Sequence, residues 1–249
     1  MRIDCGEIAE ERIRTAYGHL MKDGYVVLDG VLAPAGIARL RAALGDVPLG
    51  GPKATWVASR RHVLPLDLAG AVAAPLIYAN PAIVALAGEA LDENAILLGL
   101  SADSVLPGAG PQHVDRDGRP LFDAAVSTLL PAHALACVLP LDGPMGGAME
   151  IAVWPGSHRW KARDENALPE LVGLAPGACL VRDTRLLSSD PGNRSDATRV
   201  TLRAVYARRW FRDALQGLQR PTERPTVGVE FLADVAPNDR RLFAHMKAS

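Results

Sequence analysis

The segment His113-Val114-Asp115 places an imidazole and a carboxylate two residues apart. On an extended segment, the side chains of residues i and i+2 point to the same side, so these two groups can converge on one point. A histidine and a carboxylate are two of the three protein ligands of a non-haem Fe(II) site, and an imidazole that titrates near neutrality is also a general acid–base catalyst. His113 and Asp115 are therefore candidate metal ligands and candidate catalytic residues.

The elements that must position this pair begin with helices. Residues 7–22 carry apolar side chains at helical spacing, which predicts an amphipathic helix, and residues 25–28 are a short apolar run that predicts a buried strand. Pro34 suits the first turn of a second helix, and Asn80-Pro81 is typical of an N-cap followed by a helix start.

From Ile96 onward, short apolar runs alternate with connections rich in Gly, Pro and Asp. This is the pattern of an antiparallel sandwich or barrel. Helices that precede strands, with no linker between them, predict one α+β domain over residues 1–249, mainly β. The predicted strands cover residues 96–100, 134–141, 149–154, 178–182 and 200–207.

Four segments follow one another in an order that carries a family resemblance. They are residues 20–28 (LMKDGYVVL), 107–115 (PGAGPQHVD), 147–158 (GAMEIAVWPGSH) and 183–199 (DTRLLSSDPGNRSDATR). Together they resemble the phytanoyl-CoA dioxygenase-like family of non-haem Fe(II), 2-oxoglutarate-dependent oxygenases, over about residues 15–212. The resemblance implies a double-stranded β-helix, a cupin-like jelly roll with N-terminal helices packed outside it, and Fe(II) and 2-oxoglutarate as cofactors.

The fourth segment departs from the family pattern at one position. The family reads Asp-x-Arg-x-x-His there, with an Arg eleven residues after the His. In this chain Arg199 lies eleven residues after Ser188, so Ser188 stands where the distal iron ligand is expected. By resemblance, His113 and Asp115 are the other two ligands. A neutral hydroxyl is a poor ligand beside imidazole or carboxylate, so we expect weak iron binding.

Three groups could replace the missing ligand: Asp190, His133 or a water held by Ser188. For Asp190 and His133 there is also a simpler, structural explanation. Asp190 begins an Asp-Pro-Gly turn signature, and a lone histidine in a strand is usually a satisfied core residue.

The resemblance also implies a carboxylate-binding arginine. Arg199 would pair with the distal carboxylate of 2-oxoglutarate through its planar fork, and the hydroxyl of Thr201 could share that carboxylate. The alternative is a structural ion pair of Arg199 with an aspartate, for instance Asp183 or Asp196.

Composition excludes several classes of partner. The formal net charge is −1 and aromatic residues make up 5% of the 249 residues, which argues against nucleic-acid binding. No apolar run is long enough to span a membrane. The three cysteines lack metal-ligand spacing, and the N-terminus lacks the apolar core of a signal peptide. Both features indicate a cytoplasmic protein. We expect a small-molecule substrate, and a homo-oligomer is left open.

Three functions follow, and we favour the first. It is a small-molecule tailoring enzyme, of specialised metabolism, with an incomplete iron triad and non-oxidative chemistry: cyclisation, elimination, isomerisation or hydrolysis. In it, His113 and Asp115 act as an acid–base pair. The second is a genuine Fe(II)/2-oxoglutarate oxygenase with an unusual third ligand. The third is a non-catalytic partner subunit or ligand-binding protein.

Overall fold

The computed structural model describes residues 1–4, 10–45, 56–58, 60–123, 125–142, 149–211 and 227–246. Five α-helices lie in these ranges: α1 (Glu10–Asp23), α2 (Pro34–Gly45), α3 (Pro75–Tyr78), α4 (Pro81–Ala90) and α5 (Val229–Asp234). Short 3₁₀ helices cover Gly70–Ala73, Ala125–Leu129, Ser157–Arg159 and Arg240–Phe243. In the parts of the chain described, no helix is long and apolar enough to cross a membrane.

Twelve strands form two sheets in the described ranges. In chain order they are β1 (Arg2–Asp4), β2 (Tyr25–Asp29), β3 (Trp56–Ala58), β4 (Arg61–Pro65), β5 (Ile96–Val105), β6 (Asp115–Arg116), β7 (Ala134–Pro140), β8 (Met149–Val153), β9 (Glu170–Leu174), β10 (Cys179–Asp183), β11 (Leu187–Ser189) and β12 (Arg199–Ala207). The eight-stranded sheet has the order β1-β2-β10-β7-β12-β5-β4-β3, and the four-stranded sheet has the order β6-β11-β8-β9. Apart from the parallel pair β1 and β2, the paired strands are antiparallel.

The two sheets share an apolar core. Val27, Val138 and Leu180 of the eight-stranded sheet form one buried cluster with Ile151 and Val172 of the four-stranded sheet. Because side chains alternate between the faces of a strand, neighbouring positions along the large sheet point away from this core. The fold thus creates an interior between the sheets, where a site can be enclosed.

The helices supply a second core on the large sheet. Leu20 of α1 and Leu86 of α4 belong to one buried cluster with Leu28 and Leu135 of the large sheet. Helix α4 starts as predicted, because the side chain of Asn80 accepts a hydrogen bond from the backbone N–H of Ala82 at 3.1 Å.

The long apolar elements lie close to their predicted positions. The predicted helix over 7–22 is α1 from residue 10 onward, while residues 7–9 lie outside the described part of the chain. The strand predicted over 96–100 continues to Val105 through Ser101, Asp103 and Ser104, which pair with β12 and β4. Cys137 and Cys179 are buried and form no disulfide, and Cys5 lies outside the described residues.

Candidate functional site

A cavity of about 70 Å³ lies between the sheets. Its wall combines apolar side chains of both sheets with a larger set of polar ones. The apolar members include Val138, Met149 and Ile151, and the polar members include Arg61, Arg182, Ser188, Asp190, Thr201 and Arg203. The wall thus holds three guanidinium groups, of Arg61, Arg182 and Arg203, together with two carboxylates, of Asp103 and Asp190.

Ser188 contacts a guanidinium group inside this cavity. Ser188 lies on β11 with 9% of its surface exposed, and its hydroxyl accepts a hydrogen bond from Nη1 of Arg182 on β10. Nη2 of Arg182 donates to Oδ2 of Asp117 at 2.7 Å, and Nη2 of Arg203 lies 3.5 Å from the same oxygen. A positive group therefore faces Ser188, at the position where the resemblance expects an imidazole that binds a cation.

Asp190 lies between two other arginines. Its Oδ2 accepts hydrogen bonds from Nη1 of Arg61, at 2.8 Å, and from Nη2 of Arg199. Its Oδ1 accepts a hydrogen bond from the backbone N–H of Gly192 at 2.8 Å, which is the turn that the Asp-Pro-Gly signature predicts. Both oxygens of Asp190, a possible replacement ligand, are thus already engaged.

Arg199 forms an ion pair within the chain. Its partner is Asp190 rather than Asp183 or Asp196, because Asp183 is paired with Arg185 at 2.7 Å. Burial lowers the pKa of Arg199, the carboxylate of Asp190 raises it and the charge of Arg61 lowers it again, so on balance the pKa is below its usual value. Arg199 therefore stays within a buried network of two cations and one anion.

The side chain of Thr201 lies next to that of Arg199 on the same face of β12. Thr201 is buried and lines the cavity, and its hydroxyl lies 3.5 Å from the carbonyl oxygen of Asp103 on β5. It is available to a small ligand in the cavity, independently of Arg199.

His113 and Asp115, the candidate ligands and catalytic residues, are exposed. Asp115 is the direct partner of Ser188 in the pairing of β6 with β11, and its Oδ1 accepts a hydrogen bond from the backbone N–H of Arg116 at 2.8 Å. The inward carboxylate of this segment belongs instead to Asp117, because Arg182 and Arg203 hold it. The pair thus lies at the rim of the small sheet, beside Ser188.

His133 lies in the interior of the protein, against the ring of Phe211. It is 1% exposed, its ring centroid is 4.6 Å from that of Phe211, and neither ring nitrogen has a hydrogen-bond partner among the described residues. Burial lowers the pKa of His133 to about 4. His133 is therefore a neutral core residue, and the described residues that line the cavity do not include it.

The donor set does not fit the metal and cosubstrate that the resemblance implies. Within the described ranges, no three His, Cys, Asp or Glu side chains are grouped so that they could hold a metal ion. Arg182 places a fixed positive charge against Ser188, which disfavours a second cation there. The arginine expected to bind 2-oxoglutarate is already paired with Asp190.

Four residues of this site were not singled out by the sequence patterns: Arg61, Asp117, Arg182 and Arg203. A signal was present, because Arg203 interrupts the apolar run of one predicted strand and Arg182 is the last residue of another. A charged residue inside an apolar strand needs a partner, and Asp117 is two residues beyond Asp115 on the same segment. The spacing alone did not indicate which of the two aspartates points inward.

Comparison with solved structures finds proteins of similar fold at low sequence identity. The chain is similar to the non-haem α-ketoglutarate-dependent epimerase SnoN from nogalamycin biosynthesis, with a TM-score of 0.63 and 19% identity over 89% of this chain and 95% of that chain. It is also similar to the carbocyclase SnoK from the same biosynthesis, with a TM-score of 0.59 and 19% identity over 92% of this chain and 97% of that chain.

A third similar structure is HygX from Streptomyces hygroscopicus, solved with nickel, 2-oxoglutarate (α-ketoglutarate) and hygromycin B bound. Its TM-score is 0.60, with 15% identity over 85% of this chain and 96% of that chain. SnoN has also been solved with Fe³⁺, α-ketoglutarate and nogalamycin RO. No protein-family model matches the sequence, and neither does any curated protein. At these identities the likeness concerns the fold, and it confirms the β-rich jelly roll.

Proposed function

We propose that this chain is a small-molecule tailoring enzyme that uses a jelly-roll cavity without an iron centre, for a non-oxidative reaction such as cyclisation, elimination, isomerisation or hydrolysis. The contact between Arg182 and Ser188 is the observation that carries the proposal. A guanidinium cannot be deprotonated in proteins and offers only donors, so it cannot serve as a metal ligand. Its position favours an anionic group in this part of the cavity.

The fold neighbours support the choice of substrate class. SnoN and SnoK are an epimerase and a carbocyclase of one biosynthesis, and the bound molecules of SnoN and HygX are nogalamycin RO and hygromycin B. An epimerase and a carbocyclase, both α-ketoglutarate-dependent, therefore share this fold. We infer a substrate of comparable kind for this chain.

In the proposed reaction, His113 acts as the acid–base residue. The imidazole takes a proton from the substrate and returns one at another position, so that no oxidant is consumed, and Asp115 stabilises the imidazolium form. Arg182 and Arg203 face the cavity and stabilise the oxygen that becomes negative when the proton leaves. The exposed rim position of His113 and Asp115 requires the substrate to bind across the mouth of the cavity.

A second candidate is an Fe(II)/2-oxoglutarate oxygenase with an unusual third ligand. The bound metals and cosubstrate of SnoN and HygX favour it. It requires Arg182 to leave Ser188 and Asp190 to leave Arg199, so that a metal and 2-oxoglutarate can enter. We rank it second because Arg182, Ser188 and Arg199 are buried, and only 13% of the Asp190 side chain is exposed.

The two candidates differ in what the reaction consumes. Extracted metabolites of the source organism are incubated with the protein, with and without a chelator and oxygen, and products are identified by mass spectrometry. We expect turnover to persist in chelator without oxygen, with products that are isomers of the substrate or differ from it by water. His113→Ala should abolish most turnover, and Asp115→Asn should reduce it less. Strict dependence on Fe(II) and oxygen, with incorporation of oxygen or loss of hydrogen, would establish the second candidate instead.

A further inference from the structure

The ion pairs of Asp190 with Arg61 and Arg199 are separate from the contact between Arg182 and Ser188. We propose that Asp190 is a built-in anion, which occupies the carboxylate site of Arg61 and Arg199 and closes it to 2-oxoglutarate and to other small carboxylates. The proposal goes beyond the proposed function, because it concerns binding at this site whatever reaction the chain catalyses.

The geometry of the cluster is that of a carboxylate bound by two guanidinium groups. Arg61 and Arg199 are 4% and 7% exposed, and both donate to Oδ2 of Asp190. Buried guanidinium groups are costly unless a nearby anion and hydrogen bonds compensate them, and charge-assisted hydrogen bonds to a carboxylate are the strongest compensation that a side chain offers. A bound dicarboxylate would supply the same kind of group from outside the chain.

Each terminal nitrogen of the two guanidinium groups makes one hydrogen bond, and the buried Nε of Arg199 makes none among the described residues. Nη2 of Arg61 donates to the carbonyl oxygen of Gly110 at 2.7 Å, and Nη1 of Arg199 donates to that of Gly192 at 3.0 Å. The other two terminal nitrogens bind Asp190. An incoming carboxylate that took the place between these two nitrogens would therefore have to displace the Asp190 side chain.

The backbone around Asp190 fixes its side chain in this position. The carbonyl oxygen of Asp190 accepts a hydrogen bond from the backbone N–H of Gln112 at 2.8 Å, and Asn193 donates from its backbone N–H to Ala109 at 2.9 Å. Gly192 has a φ of +101°, and a Cβ at this residue would lie 2.4 Å from the carbonyl oxygen of Ala109. These contacts hold the turn against residues 109–112, so the backbone fixes the position of Asp190 beside the two arginines.

The proposal is tested by removing the anion and offering it back in solution. Asp190→Ala leaves Arg61 and Arg199 without their carboxylate and opens space for a small one. We expect the melting temperature of this variant to rise by several degrees with acetate or succinate at millimolar concentrations, and calorimetry to show saturable binding of 2-oxoglutarate. Wild-type protein should show neither effect.

Two further variants test whether the stabilisation by acetate arises at Arg61 and Arg199. Asp103→Ala removes another carboxylate that lines the cavity, one that accepts a hydrogen bond from Ser101 at 2.9 Å, and it should gain no acetate stabilisation. Asp190→Ala combined with Arg199→Ala should lose the gain. If Asp190→Ala is too unstable to purify, its refolding yield with and without acetate gives the same comparison. The titration of wild-type protein with 2-oxoglutarate does not depend on this variant.

Two outcomes would overturn the proposal. One is binding of 2-oxoglutarate by wild-type protein that Arg199→Ala abolishes. The other is a folded Asp190→Ala protein on which acetate and 2-oxoglutarate have no effect. Neither readout depends on metal or turnover, so iron- and oxygen-dependent activity that consumes no 2-oxoglutarate would contradict the proposed function and leave this inference standing.

Discussion

The guanidinium of Arg182 and the hydroxyl of Ser188 form a hydrogen bond across the interior of the protein, from the eight-stranded to the four-stranded sheet. The two residues are six positions apart, and the turn between β10 and β11 brings them face to face. Asp117 completes the arrangement by binding the other terminal nitrogen of Arg182. A fixed cation therefore occupies the space beside the residue that replaces the expected iron ligand.

Restoring the histidine at position 188 should not be sufficient for strong metal binding. Ser188→His supplies an imidazole, but the charge of Arg182 remains beside it, so we expect only a small rise in Fe(II) affinity. Ser188→His combined with Arg182→Leu should bind Fe(II) at least about tenfold more tightly than Ser188→His alone, because a like charge has been removed. Calorimetric titration with Fe(II) under anaerobic conditions measures the difference.

The matched control for this comparison is Ser188→His combined with Arg203→Leu. It removes an arginine that shares Asp117 with Arg182, and Arg182 remains. Equal affinities for the two double variants would show that the contact between Arg182 and Ser188 is not what opposes the metal.

Gly24 holds helix α1 close to the buried residue His158. Its φ is +83°, and a Cβ there would lie 2.5 Å from Nδ1 of His158 and 2.7 Å from Cδ1 of Leu186. Gly24→Ala should lower the free energy of unfolding by at least about 2 kcal/mol, from left-handed backbone strain and from overpacking.

Gly18 within α1 is the control for Gly24. A Cβ at Gly18 meets nothing within 4 Å, so Gly18→Ala should raise the free energy of unfolding by about 0.5–1 kcal/mol through helix propensity. Urea denaturation of both variants checks the prediction, and a loss of stability in both, or in neither, would contradict the close approach described for Gly24.

The burial of His133 predicts a pH dependence of stability. Its pKa is lowered to about 4 in the folded protein, against about 6.5 in the unfolded chain, so the unfolded state binds the proton first as pH falls. The stabilising contribution is fully present above pH ~6.5 and is lost progressively towards pH ~4, with a limit of about 3 kcal/mol over this window.

His133→Leu tests this dependence, because leucine keeps an apolar contact with Phe211 and carries no titrating group. Urea denaturation at a series of pH values should show a shallower slope for the variant between pH ~4 and ~6.5. Burial also lowers the pKa of His158, so part of the slope should remain. An unchanged slope would mean that His133 is accessible to protons in the folded state.

Patterns of apolar residues predicted the main elements, and the reason is visible in particular strands. Strand β7 is buried along its whole length, so its sequence is a continuous apolar run that stands out. Strand β11 is three residues long, two of them serines, and its pairing depends on β6 and β8, which are distant in the chain. No local pattern could have indicated it, although it carries Ser188. The single domain over residues 1–249 stays a prediction.

The candidate site was predicted less completely than the fold, because its contacts are tertiary. The departure at Ser188 was visible from spacing, and so was the turn at Asp190. Neither spacing nor composition could show that Arg182 would reach Ser188, or that Asp190 would take the place of an external partner for Arg199. These pairings depend on how two sheets face each other, which only the folded chain determines.

The most direct test of the account is an anaerobic titration of wild-type protein with Fe(II) and 2-oxoglutarate, followed by calorimetry and by assay for succinate after oxygen is admitted. An iron-dependent neighbour such as SnoN, measured in parallel, serves as the positive control. We predict no stoichiometric Fe(II) site, no saturable binding of 2-oxoglutarate and no succinate above background. One tightly bound Fe(II) per chain, with 2-oxoglutarate bound and converted to succinate, would contradict the account.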